Sequence, residues 1–303
     1  MDQPAVSVLV ATSNRPERLR TCVESILDQN HPDFELLILD SSEEIDSCDR
    51  IADLTENHRV TCTHKMDFRG VAGSRNWLIE NARGDVLVFL DDDAYFPDKS
   101  ALSSILDAFE DRIGIQAFRV VDNPGEQNEK IRVPLPKNAV DRTNLNTKFP
   151  VSYYIGAGHA IKRDVIETCG AYVDKFMYGS EELDLSYRAI DEGFNILYNP
   201  EVIVHHRPQQ PVISTETTGH TETYYRVANR IFIAYKHLPV KYLPTYLFVW
   251  LLYFFTQSIQ NNNIHEYVLG IRRGIKIARS TNRSPINSRT EQYLKRNYGR
   301  LWY

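Results

Sequence analysis

Four short strand-like segments, Val6 to Ala11, Phe34 to Leu39, Val60 to His64 and Val86 to Leu90, alternate with stretches of helical pattern over the first ninety residues. Runs of this length, rich in branched side chains, predict buried strands. Between them, Ser13 or Asn14 can cap a helix that begins near Pro16 and carries Leu19, Val23 and Ile26. Asp46 to Asn57 and Gly73 to Ala82 read as further helices, with Ala72, Trp77, Leu78 and Ile79 available to a core. The alternation predicts an α/β layer around a mainly parallel central sheet flanked by helices. Ligands of such sheets bind at the carboxyl ends of the strands, where Asp40 and the run Asp91-Asp92-Asp93 fall.

From Val121 to Pro150 the chain turns polar and proline-rich, which predicts a long loop or a short antiparallel excursion bordering the site. A helix over Glu181–Glu192 and strands at Asn195–Tyr198 and Val202–His206 follow. With 303 residues, 42% of them apolar and 25% charged, the chain is a globular protein rather than a disordered one. The expected division is a catalytic domain over 1–215 and a helical, basic segment over 216–303. That segment is sharply polarised: residues 221–303 hold 13 Lys/Arg against Glu222, Glu266 and Glu291. An anionic partner such as a lipid surface or nucleic acid fits this, and so does a solvated basic face. The four cysteines, Cys22, Cys48, Cys62 and Cys169, show no metal-ligand spacing and read as reduced thiols. Met-Asp-Gln-Pro opens without a basic-then-apolar leader, so no signal peptide is expected.

Three adjacent carboxylates after a wholly apolar strand repel one another and need a cation or strong hydrogen bonds to stay ionised together. Strand alternation would send Asp91 and Asp93 to one side and Asp92 to the other. Two oxygen ligands on one side suit Mn²⁺ or Mg²⁺ bridging a diphosphate. A solvated acidic turn is the other reading of such a triplet.

The motifs then fall into a known order. Val6 to Thr12 followed by Asn14-Arg15, Leu36 to Asp40, Gly70-Val71-Ala72-Gly73-Ser74-Arg75-Asn76, Phe89 to Asp93 and Gly179 to Arg188 together resemble glycosyltransferase family two, an inverting family with the GT-A fold. The resemblance covers roughly residues 5–210. It implies a nucleotide-sugar donor contacted by Thr12, Asn14, Arg15, Asp40, Arg69, Arg75, Asp91 and Asp92. Asp40 would accept the imide N–H of a uracil or thymine base, and Arg69 and Arg75 would grip pyrophosphate. Helix capping is the plainer role for Thr12 and Asn14, and a surface position for Arg69. The resemblance also implies a metal held by Asp91, Asp93 and a histidine, with His206 fitting better than His205. Gly158, His159 and Glu181 are expected at the sugar or acceptor.

Inverting transfer needs a base to deprotonate the acceptor hydroxyl. The family's Glu-Asp pair is Glu181-Glu182 here, which assigns the base to Glu182, one methylene longer. Asp184 is expected to orient the helix through Arg188 at i, i+4. A second departure is Ser41-Ser42-Glu43-Glu44-Ile45-Asp46, where the family continues with a small-residue turn and a further Asp.

Tyr242 to Ile264 carries no charged residue, and Tyr246 to Phe255 is a ten-residue apolar run, short of the roughly 20 that a span needs. A helix in the membrane interface, flanked by Lys236, Lys241, Arg272, Arg273 and Lys276, is the favoured reading. A core or oligomer helix and a true span are the alternatives. The resulting expectation is transfer from a UDP- or dTDP-sugar to a hydroxyl of a glycan or lipid-linked saccharide at the cytoplasmic face of the membrane, without a nucleic-acid partner. A nucleotidyltransferase is disfavoured, since Thr-Ser-Asn-Arg-Pro replaces its Gly-rich phosphate loop. A non-catalytic protein of the same fold is disfavoured by the acids at 91, 93 and 182.

Overall fold

The computed structural model describes residues 3–67, 70–208 and 219–302. The predicted strands form as β1 (Val6–Thr12), β2 (Phe34–Asp40), β3 (Val60–His64) and β4 (Val86–Leu90), joined by α1 (Pro16–Leu27), α2 (Ser47–Arg50), α3 (Ala52–Thr55) and α4 (Val71–Asn81). They pair in parallel in the order β3-β2-β1-β4. Both faces of this half are covered, which is why β4 is wholly apolar and β2 carries the apolar stretch Leu36 to Leu39. Leu9, Leu87 and Phe89 pack on one side, and Val8, Val10, Val88 and Leu90 on the other against α1.

The chain continues through β5 (Ala94–Tyr95), α5 (Ala101–Asp107), β6 (Ile113–Asp122), β7 (Lys130–Arg132), α6 (Lys137–Val140), β8 (Phe149–Val151), β9 (Gly158–Lys162), α7 (Arg163–Cys169), α8 (Glu181–Asp191) and β10 (Asn195–His206). β9 inserts antiparallel between β4 and β6, while β6 and β10 pair in parallel. Two reversals restore the direction of β4 in β6 and β10. The carboxyl ends of β1, β4, β6 and β10 therefore share one edge, carrying Thr12, Asp91–Asp93, Asp122 and His206. Gly158 permits the crowding there: a Cβ on it would sit 2.8 Å from the Val204 side chain.

Two expectations change in detail. The single helix expected over Asp46–Asn57 breaks at Ile51 into α2 and α3, with the Asp46 carboxylate capping the first turn. The two strands expected at 195–198 and 202–206 are one strand with a register shift between Asn199 and Ile203. A third is corrected: Cys48 and Cys62 are joined in a disulfide, and only Cys22 and Cys169 are free thiols. The turn from α2 to β3 brings their Cα atoms to 5.7 Å, within bridging range, which spacing rules do not register.

After 218 come α9 (Glu222–His237), α10 (Leu243–Gln260), α11 (Ile264–Arg279) and α12 (Ser288–Arg296). The expected boundary near 215 lies outside the described residues. Beyond it, Phe232, Ile233, Leu238, Tyr246, Leu294 and Leu301 enter the same core as Leu9 and Phe89. α9 packs hardest on α11, where Gly270 and Gly274 let the backbones approach. No helix among the described residues is long and apolar enough to cross a membrane.

Candidate active site

The carboxyl edge of the sheet opens into a cleft of about 800 Å³. Its floor is the turn after β4, where the strand stops because the next three side chains are charged. Asp92 turns inward: it accepts from Thr12 Oγ1 at 2.7 Å and from Arg15 Nη1 at 3.1 Å. Burial pushes its carboxyl up to about 6, with Arg15 opposing. Asp91 faces the cleft and Asp93 faces β10. Thr12 and Arg15 thus brace the aspartates, in addition to lining the cleft.

Asp91, Asp93 and His206 each offer a ligand atom, and these atoms lie within 4.8 Å of one another. His206 Nε2 stands 3.2 Å from Asp93, and its Nδ1 is 2.7 Å from Asp122. Both acceptors are carboxylates, so both ring nitrogens donate. Burial opposes that charge, but the two hydrogen bonds raise the imidazole to about 9. His205 faces the other way, against the Tyr95 ring and hydroxyl. Hard oxygen donors with one imidazole, oriented from behind by Asp122, are a chemically suitable set for Mn²⁺ or Mg²⁺, for which Nε2 would give up its proton while Nδ1 keeps its bond to Asp122. Asp122 was not read from the sequence, although it ends a strand as Asp40 does.

Arg75 spans the cleft wall. Its guanidinium reaches Glu181 at 3.4 Å, Glu182 at 3.3 Å and Asp91 at 3.4 Å, and donates to the Gly156 carbonyl at 3.0 Å. Burial and then Glu182 push Glu181 well above the usual carboxylate range, while Arg75 works against the shift. Glu181 is 3% exposed against 18% for Glu182, so Glu182 presents the more accessible carboxylate. α8 begins after Gly179 and Ser180, both with positive φ. Asp184 does orient that helix. It takes Arg188 at 2.8 Å, Lys236 at 3.0 Å and His237 at 2.7 Å.

Other expected contacts fall elsewhere. Asp40 is fully buried beneath the cleft and accepts from Ser42 N, Ser42 Oγ and Ser47 N, so it holds the 41–47 loop and turns no face to a base. Ser41 and Glu43 of that loop line the cleft in its place. Asn14, at φ 57°, lines the cleft while its side-chain oxygen accepts from Glu44 N and Ile45 N. His64 closes the loop from outside, at 2.9 Å from Asp46 and 2.8 Å from the Ser42 carbonyl. Gly158 and His159 are buried; His159 stacks on Phe89 and meets the Tyr172 hydroxyl, and it is Gly156 and Ala157 that reach the cleft. Arg69 lies outside the described residues.

The fold is the GT-A fold. Among solved structures, GalNAc-T7 with UDP, GalNAc and Mn²⁺ superposes at a TM-score of 0.65 and 14% identity, over 98% of this chain and 57% of that one. The mannosyltransferase PcManGT of Pyrobaculum calidifontis, in complex with GDP-Man and Mn²⁺, superposes at 0.59 and 16%, over 98% and 80%. Residues 7–170 match the model of glycosyl transferase family 2, and the chain belongs to that family. An uncharacterized protein of Haemophilus influenzae is 29% identical over 55% of this chain and 91% of its own length. The Escherichia coli UDP-Glc:alpha-D-GlcNAc-diphosphoundecaprenol beta-1,3-glucosyltransferase WfaP is 33% identical over 30% of this chain, which spans 36% of that protein. A putative teichuronic acid biosynthesis glycosyltransferase of Bacillus subtilis is 32% identical over 32% of this chain and 39% of its own length.

Proposed function

We propose that this glycosyltransferase transfers a sugar from a UDP- or dTDP-sugar to a hydroxyl of a glycan or lipid-linked saccharide, with inversion at the anomeric carbon. The observation that carries this reading is one cleft holding a clustered Asp91, Asp93 and His206 and a separate accessible carboxylate, Glu182, bridged by Arg75. Asp91, Asp93 and His206 would hold Mn²⁺ or Mg²⁺, which when bound neutralises charge on the leaving diphosphate. Thr12, Arg15 and Asp92 keep the floor rigid, and Asn14 and Ser41, which line the cleft, would flank the nucleoside. Arg75 holds Glu182 in place, and Glu182 accepts the proton of the attacking hydroxyl. A direct displacement with one base on the acceptor side gives inversion. Relatives named for a diphosphoundecaprenol acceptor and for teichuronic acid support an acceptor of cell-surface glycan synthesis. The uncharged α10, with Phe248, Leu252 and Ile259 exposed, supports peripheral contact with the cytoplasmic face of the membrane.

The test is nucleoside diphosphate release from a panel of UDP-, dTDP-, GDP- and CDP-sugars, with Mn²⁺ and with EDTA. Turnover of a uridine or thymidine donor only with metal is the expected result. Absence of both turnover and binding for every donor would overturn the reading.

A further inference from the structure

Along the same cleft, beyond Glu182, the charge reverses. Arg226, Arg230 and Arg300 line that wall, supplied by α9 and by the residues after α12, outside the stretch that matches the family model. Arg226 at the rim pairs with Glu222 on its own helix. Arg230 and Arg300 have no carboxylate partner among the described residues. The Arg230 guanidinium lies 3.9 Å from the centre of the Trp250 ring and donates to the Tyr246 hydroxyl at 3.0 Å. That of Arg300 lies 4.6 Å from the centre of the Tyr153 ring and 5.6 Å from that of Trp250. The Trp250 indole N–H is buried and also has no acceptor there.

Two neighbouring guanidiniums half-buried against aromatic faces, with no carboxylate beside them, are costly unless an anion completes them. Arg75, in the same cleft, shows the contrast, because three carboxylates surround it. Burial, and Arg300 beside it, lower the Arg230 guanidinium from its ordinary value, whereas Arg300 is raised despite its burial by the Tyr153 hydroxyl that it meets. Paired guanidiniums are suited to phosphate oxygens. On the Trp250 side of the same helix, Tyr253 meets the Trp250 ring at 5.7 Å and is 49% exposed, so an alkyl chain leaving this point has an apolar surface to follow.

We propose that Arg230 and Arg300 form an acceptor subsite that binds the phosphate groups of a lipid diphosphate, directing the sugar it carries toward Glu182. This rests on the glycosyl-transfer reading above and names its acceptor class.

The test uses the full chain in EDTA, so that metal-dependent diphosphate binding on the aspartates is silent. Octyl diphosphate, inorganic pyrophosphate and octyl glucoside are titrated by calorimetry, with intrinsic tryptophan fluorescence as a second signal. Octyl diphosphate should bind saturably and more tightly than pyrophosphate, and octyl glucoside should not bind. Arg300→Gln should weaken binding at least tenfold and Arg300→Lys less than threefold, with unchanged circular dichroism. Donor hydrolysis with Mn²⁺ by the unaltered chain, measured beside the titrations, separates failure of this subsite from failure of the transferase reading. Equal affinity for octyl diphosphate and pyrophosphate overturns the lipid assignment. No saturable binding, or binding untouched by Arg300→Gln, overturns the subsite.

Discussion

The two ends of the cleft solve opposite electrostatic problems. At the sheet edge, Asp91, Asp92, Asp93 and Asp122 crowd together beside Glu181 and Glu182, and among the described residues Arg15, Arg75, Arg132 and His206 pair with these six carboxylates. At the helical wall, Arg230 and Arg300 crowd together, and the chain supplies aromatic faces instead of carboxylates. An excess of acid calls for a cation, and an excess of base calls for an anion. Glu181 and Glu182 stand where the two fields meet, held by Arg75. The difference teaches that neither end is electrostatically complete alone. A transferase that binds a metal-bearing donor on one side and a phosphorylated acceptor on the other accounts for both.

The largest expected effect lies at the junction. Glu182→Gln keeps the size and the contact with Arg75 but removes the base, so transfer should fall by about 10²–10⁴-fold while donor binding persists. Steady-state rates with calorimetric donor titration check this; normal transfer would move the base elsewhere.

Next comes the scaffold that joins the two ends. Asp184 is fully buried with Lys236, Arg188 and a His237 that burial keeps neutral. Burial works against its charge, yet hydrogen bonds from these partners hold its carboxyl well below the ordinary range. Asp184→Asn should cost about 3–5 kcal/mol in urea denaturation, since it strands Lys236 and Arg188. A depressed folded-state pKa contributes stability that is present above the unfolded value, about 3.9, and is lost as pH falls through the folded one. The wild type should therefore lose this increment below about pH 4, and Asp184→Asn should show a shallower acid decline.

A smaller effect isolates the acid end. Asp122→Asn removes the carboxylate behind His206 and should weaken Mn²⁺ binding about 10–100-fold, leaving anion binding at Arg230 and Arg300 unchanged. Manganese titration followed by electron paramagnetic resonance measures it. A loss at both ends would show that they are not separate.

The acid end was largely legible in the sequence, because a strand of wholly apolar residues followed by three aspartates is a local pattern. His206 was reached through the family resemblance, which implies a histidine at that strand end, and Asp184–Arg188 through helical spacing. What stayed hidden depends on long-range packing. Asp40 sits at a strand end like Asp91, but only the folded 41–47 loop shows that its oxygens are already taken by Ser42 and Ser47. His159 falls on the core side because β9 pairs Phe89 with it. Arg230 and Arg300 are seventy residues apart, and their shared Trp250 is invisible to any periodicity. The basic excess over 221–303 was the one signal of that wall, without its location.

The most direct test of the account is a thermal-shift panel of UDP, dTDP, GDP and CDP, each with Mn²⁺ and with EDTA. Binding to the folded state raises the melting temperature by linkage. UDP or dTDP should stabilise the protein with Mn²⁺ and much less without it, and Asp91→Asn with Asp93→Asn should abolish the difference. A shift that ignores the metal, or survives loss of both aspartates, would contradict the assignment of Asp91, Asp93 and His206 as the metal site of a nucleotide-sugar transferase.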